Sequence, residues 1–488
     1  MLFHSHVFLF LFLPLTLLGF FAIGATGRHR AAGLWLTAAS LFFYGWWNPR
    51  YLPIIIGSIL FNYLAGAGIG HAVEAGRTRK ARSLLTFGVI GNLGLLGYFK
   101  YANFFVANVA VLTGLHWQIG MIALPLAISF FTFTQIAYLV DAWHGRTRDY
   151  DLLHYSLFVT FFPHLIAGPI VLYRSLMPQF ARAETYRFQA ENFAAGLTLL
   201  ICGLAKKVIF ADGVSPVANA VFNGAAQGHA PGAAAAWIGA IAYSLQLYFD
   251  FSGYSDMAIG IARMFNARFP LNFDSPYQAR DIIDFWRRWH ITLSTFLRDH
   301  LYIPLGGNRK GPIRRYLNLF ITMLLGGLWH GAGWTFVMWG GLHGAYLCVN
   351  HGWLRITEGK AWANGKPARL AGWLVTLLAI VVGWVFFRAA SFATALSMLK
   401  GMAGLRGFGG SLPAKTGELA LIVGTALVAL FAPNSQRLFG VALPPKETAV
   451  ERPALWRWTP PAAIAATLVF VASVLHLSRI SDFLYFQF

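Results

Sequence analysis

The sequence predicts an all-α polytopic integral membrane protein, and three observations predict it. Of its 488 residues, 57% are hydrophobic and 16% aromatic, but 11% are charged, against roughly a quarter in an ordinary soluble domain. Apolar stretches recur from one end of the chain to the other, and a spanning helix needs about 20 mostly apolar residues. Lys and Arg number 38 against 18 Asp and Glu, a net charge of +20, and the cations fall in short loops between apolar runs. That placement fits cationic loops kept in the cytoplasm, so no nucleic-acid partner is expected. A soluble enzyme needs more surface charge than this, and disorder needs less hydrophobicity.

Candidate spans lie near 7–25, 32–48, 52–74, 84–99, 102–115, 119–141, 152–172, 193–212, 233–251, 317–328, 334–350, 370–388, 417–433 and 461–477. Several are short or broken by Pro or Gly, so about eleven full crossings plus partial or re-entrant helices are expected. Partial helices at membrane depth need protein or a water-filled cavity over their freed backbone groups. A ring of full spans around a shorter, irregular centre meets that need. The apolar start MLFHSHVFLFLFLPLTLLGFFAIGA has no cation ahead of it and no clear cleavage site, and is read as a retained first span. Arg77, Arg79, Lys80 and Arg82, with Arg28 and Arg30, mark the cytoplasmic side, and so does the stretch Arg263 to Arg315. Cys202 and Cys348 sit inside apolar segments and read as small buried hydrophobes. No repeat or soluble segment interrupts the pattern, so residues 1–488 are read as one membrane domain.

The chemistry concentrates in about 243–345. In YSLQLYFDFSGYSDMAIG, Asp250 and Asp256 flank Ser252 and Ser255. Ionisable groups at membrane depth are costly and mark functional sites by default, though a polar cluster tying helices together fits as well. RDIIDFWRRWHITLSTFLRDHLYIPLGGNRKG follows. Residues 282–298 are expected to form one helix, with Trp286, His290 and Ser294 on one face and Asp284 pairing Arg288 at i+4. Its Trp and Arg residues suit the membrane surface or the binding of phosphates. GGNRKG lacks the pattern of a nucleotide P-loop.

In LLGGLWHGAGWTFVMWGGLHG, His330 lies 15 residues past Arg315. If that path is helical, the rise is about 22 Å, well inside a hydrocarbon core of about 30 Å. Gly326, Gly327, Gly331 and Gly333 let backbone or ligand approach it closely. An imidazole there is expected to stay neutral and to serve as a base, or to hydrogen-bond between helices. On an unbroken helix His343 would point away from His330. No residue set has metal-ligand spacing, and no metal is expected.

Taken together, RRWHITLSTFLRDHLYIPLGGNRKG and LLGGLWHGAGWTFVMWGGLHG resemble the signature of the membrane-bound O-acyltransferases, in the bacterial branch of the alginate O-acetyltransferase membrane subunit. LPLAISFFTFTQIAYLVD, FFPHLIAGPI, YFDFSGYSDMAIG and the terminal FLYFQF agree, so the likeness spans nearly the whole chain. It implies catalytic roles for His330 and His290, with His330 at the meeting point of funnels from both faces. It implies a cytoplasmic thioester donor, acetyl-CoA, with no bound cofactor, and a polysaccharide acceptor on the other side. Arg280, Arg287 and Arg288 become candidates for the donor's phosphates, and Asp250, Asp256 and Ser252 join them as donor-binding candidates.

In related systems a periplasmic partner of the SGNH-hydrolase type completes transfer to the polymer. Tyr485 in FLYFQF is read either as a transient acyl carrier to that partner or as an interfacial anchor. The expected location is the bacterial inner membrane, with multiple passes. Alginate, cellulose, peptidoglycan and teichoic acid all remain open as acceptors. A non-enzymatic polysaccharide transporter is the competing reading, since broken helices suit transport too.

Overall fold

Lipid offers no partner to backbone N–H and C=O groups, so an apolar chain must close its hydrogen bonds within each segment. The computed structural model of the protein does so with helices, and no β-strand occurs among the described residues. Those residues are 1–114, 119–147, 151–408, 412–440, 459–477 and 484. Among them five helical runs are long and apolar enough to cross a membrane: Phe8–Ala25, Pro49–Glu74, Thr78–Thr113, Ala190–Ala226 and Lys366–Arg388. By contact the chain groups into two units. One holds Met1–Cys202, Tyr254–Leu271 and the described part of Phe439–Leu468; the other holds Gly203–Gly253, Asn272–Leu438 and the described part of Val469–Phe488.

In the first unit, Leu52–Glu74 and Thr78–Leu96 pack on Ile128–Trp143. Small residues permit the approach. A Cβ on Gly66 would stand 2.3 Å from the Tyr138 ring, and one on Gly88 would stand 2.6 Å from Leu139. Polar side chains then bind the helices to one another. Asn62 and Asn92 exchange amide hydrogen bonds of 3.1 and 2.6 Å, both buried. The Gln135 amide donates to Ser58 at 2.9 Å and accepts from the Tyr155 hydroxyl at 3.0 Å. Gly76, at φ +68°, takes the left-handed conformation that ends Leu52–Glu74 and turns the chain back.

Several expected boundaries move. The segments 84–99 and 102–115 are one run, Thr78–Thr113, carried through a π-turn at Gly97–Tyr101. The span expected at 193–212 continues to Ala226 through a second π-turn, Lys206–Ala211. A π-turn takes in an extra residue and rotates the following face without ending the hydrogen-bond ladder, so a break in apolar period did not end the helix. The span at 152–172 is instead cut at Phe161 into Leu152–Thr160 and Phe162–Leu165, with Pro163 in the first turn of the second.

In the second unit, Gly311–His330 and Trp334–Ile356 form an antiparallel hairpin closed by Gly331–Gly333, where the Gly333 N–H donates to the Gly331 carbonyl at 2.9 Å. Lys366–Arg388 packs along Trp334–Ile356. Across the hairpin the backbones touch. A Cβ on Gly327 would meet the Phe336 carbonyl at 2.3 Å, and one on Gly340 would meet the Met323 carbonyl at 2.4 Å.

The buried amide pair gives a test. Asn62→Leu leaves the buried Asn92 side-chain oxygen without its donor, while the Asn92 amide keeps its 2.8 Å bond to the Gly88 carbonyl, and such an unpaired atom costs about 1–3 kcal/mol. The single variant is expected to lower the thermal melting point of the purified protein by several degrees. Asn62→Leu/Asn92→Leu is expected to recover most of the loss.

Candidate active site

The helix expected over 282–298 is two short helices. Ile282–Trp286 starts from Asp281, whose side chain accepts the Asp284 N–H at 2.8 Å, and Ile291–Leu297 begins a new axis after His290. His290 sits at φ +43°, a left-handed conformation that a non-glycine residue adopts at a cost. Trp286, His290 and Ser294 therefore do not share one helical face. The reason lies outside the segment. The Asn272 carbonyl accepts the Ile291 N–H at 2.9 Å, and the Asn272 side-chain oxygen accepts the Thr292 hydroxyl at 2.9 Å and lies 3.1 Å from His290 Nδ1. These bonds replace the helical ones and fasten His290. Its ring is fully buried, 4.7 Å from Phe251 and 6.4 Å from Phe273 by ring centre. The Asp284–Arg288 pair does form, at 2.8 Å.

His330 is the last residue of Gly311–His330, so the path from Arg315 is an unbroken helix. The ring is 4% exposed. It meets Trp329 at 4.9 Å, Trp339 at 5.1 Å with the planes at 89°, and Phe387 at 5.2 Å. Trp329 also contacts His290, at 6.3 Å, so one indole is shared by both histidines. The chain turns after His330, which brings His343 to the same side after all: its ring is 4.7 Å from Trp339.

The donor-binding candidates separate. Arg280 and Arg287 are exposed, while Arg288 is half-buried against Asp284 and donates to the Asp274 carbonyl at 3.2 Å. Asp250 is buried and paired with Lys207 at 2.8 Å; Lys207 also pairs with Asp212 at 2.8 Å. Removing one member of such a pair strands a buried charge. Gly253 makes the pairing reachable, since a Cβ there would stand 2.8 Å from the Gly203 carbonyl and 3.0 Å from Lys206. The second Asp250 oxygen accepts the Leu484 N–H at 3.0 Å. Ser252 is buried two residues on, roughly 200° around the helix from Asp250. Asp256, also buried, belongs to the first unit. Tyr485 lies outside the described residues.

Lys207, Asp212 and Asn272 escaped the sequence reading. A Lys pair inside the apolar run GLAKKVIFADG was the available signal for the first two. Nothing in the local pattern around Asn272 announces its partner His290.

His330 thus stands buried at the end of a glycine-packed hairpin and shares the Trp329 indole with the buried His290. The membrane-bound O-acyltransferase family profile matches residues 146–392. The chain belongs to this family. It is an O-acyltransferase, and a multi-pass membrane protein. A peptidoglycan O-acetyltransferase of Helicobacter pylori is 44% identical over 433 residues, 83% of this chain and 80% of that one. A probable alginate O-acetylase of Azotobacter vinelandii is 41% identical over 524 aligned positions, covering 100% of both. One from Pseudomonas aeruginosa is 45% identical over 410, covering 82% of this chain and 75% of that one.

Asn272→Ala removes the acceptor for Thr292 and the neighbour of His290 Nδ1. With each bond worth about 0.5–1.5 kcal/mol, the acyl-transfer rate of this O-acyltransferase is expected to fall roughly ten-fold. Asn272→Asp, which keeps the acceptor, is expected to lose less. The check is the rate measured on each purified variant.

Proposed function

We propose that this O-acyltransferase takes an acetyl group from acetyl-CoA on the cytoplasmic side of the bacterial inner membrane and passes it outward for O-acetylation of an exported polysaccharide. A periplasmic SGNH-type partner completes delivery. The observation that carries the reading is His330, buried at the tip of the Gly331–Gly333 turn and walled by Trp329, Trp339 and Phe387. The names of the relatives point to alginate-type polymers. Acetylation of peptidoglycan is the second reading, favoured by the 44% identity to the Helicobacter pylori protein.

A hydroxyl attacks a thioester slowly until a base takes its proton. His330 takes that proton, the hydroxyl oxygen bonds the acyl carbon, and the C–S bond breaks. The thiolate leaves and recovers the proton from the imidazolium. His290, fixed by Asn272, orients the donor. The exposed Arg280 and Arg287 side chains suit the donor's phosphates, which guanidinium groups grip in a bidentate way, and Arg288 adds its charge. On the donor side, Asp250 and Ser252 flank Phe251, whose ring meets His290 at 4.7 Å, and Asp256 follows on the same helix. Tyr485 takes the acyl group transiently and hands it to the partner. The proposed arrangement keeps about eleven crossings plus partial helices whose freed backbone groups are covered by protein.

His330→Ala, expressed and folded, is expected to lose about 10²–10⁴-fold in acetyl transfer from radiolabelled acetyl-CoA in membrane vesicles, the usual contribution of a general base. Normal transfer in that variant contradicts the proposal. Tyr485→Phe is expected to abolish an acyl adduct on the C-terminal peptide seen by mass spectrometry. Absence of any adduct, together with full activity of Tyr485→Phe, removes the relay step alone.

A further inference from the structure

His343 is fully buried, and neither ring nitrogen has a hydrogen-bond partner among the described residues. A neutral imidazole presents one donor and one acceptor, and burying both unpaired costs free energy that an apolar side chain would not incur. The indole nitrogens of Trp339 and Trp286 are buried without partners too. Their rings lie 4.7 and 5.3 Å from His343 and 5.8 Å from each other. Three unpaired polar groups gathered in one aromatic cluster are an address for a polar ligand. Gly383 lets the imidazole sit against its backbone, since a Cβ there would stand 2.9 Å from His343 Nε2.

The cluster also has a direction. At one end Trp339 meets His330, at 5.1 Å. At the other, Trp286 is followed in the chain by Arg287 and Arg288. Along Trp334–Ile356, positions 339, 343, 347 and 351 follow at four-residue steps, each about one turn beyond the last. His351 ends this series, with Arg315 donating to its Nδ1 at 2.8 Å and Arg287 close by. From Trp339 to His351 the helix rises about 18 Å. The unpaired groups thus follow one another by ring contact up to His330, at the tip of the hairpin whose other end carries the His351–Arg315 pair.

We propose that His343, with the Trp339 and Trp286 indole N–H groups, forms a binding subsite for the neutral, amide-bearing arm that links the phosphates of a thioester donor to its acyl group. The inference rests on the acetyl-CoA reading above. The indoles donate to carbonyl oxygens of the arm, and His343 donates from one nitrogen and accepts from the other. The step is binding alone, and no bond of the donor is made or broken there.

The test uses the full chain in lipid nanodiscs, with acetyl-CoA as the probe and radiolabel transfer as the readout. His343→Phe and His343→Leu each remove both unpaired nitrogens; the second allows for the larger size of a phenyl ring near Gly383. In the better-folded of the two, the melting temperature is expected to match or exceed the parent's, while KM for acetyl-CoA rises at least ten-fold with a smaller change in kcat. His343→Asn, which restores a donor and an acceptor, is expected to recover part of the affinity. An unchanged KM overturns the inference, and so does a loss of stability in both apolar variants, which would make the imidazole a structural bonding partner. A parent protein that does not turn over acetyl-CoA overturns the donor reading instead, so the two failures are told apart.

Discussion

Everything at the candidate site depends on two helices touching backbone to backbone. Between Gly311–His330 and Trp334–Ile356, a single added methyl group at Gly327 or Gly340 would run into a carbonyl at 2.3 or 2.4 Å. Only glycine lets two helix backbones approach this closely. The contact sets where His330 ends its helix. It also decides which residues of the returning helix stand beside the ring, and so places Trp339 and then His343 where they are.

A second constraint acts on His290. Its backbone is held in a left-handed conformation by bonds to Asn272, and its ring is closed in by Phe251 and Phe273. Such strain persists only where the surroundings over-determine it. Here the surroundings are a short loop, two helix ends and an aromatic wall. The buried Lys207, between Asp250 and Asp212, does comparable work for the long helix beside it. Unpaired, the buried Asp250 carboxylate or Lys207 ammonium would carry a large desolvation cost.

The legible parts of the sequence were those governed by local chemistry. The helical approach from Arg315 to His330, the Asp284–Arg288 pair and the apolar helices all follow from residues within a turn or two of each other. The helix expected over 282–298 failed because its interruption is imposed by Asn272, which no periodicity connects to His290. The expected breaks near 100 and 212 failed because π-turns absorb an extra residue without ending a helix. His343 was placed away from His330 by unbroken-helix geometry, and the turn at Gly331–Gly333 reversed that. Lys207 and Asp250 find each other across a long separation in sequence, through a glycine contact that only the folded chain reveals.

A structure of the protein in a lipid nanodisc with a non-hydrolysable thioether analogue of acetyl-CoA measures directly whether a thioester reaches the His330 imidazole at the tip of the glycine-packed hairpin. The analogue's acyl carbon is expected beside the His330 ring, with its phosphates at the Arg280–Arg287 side. An analogue bound elsewhere, with His330 sealed by Trp329, Trp339 and Phe387, would contradict it.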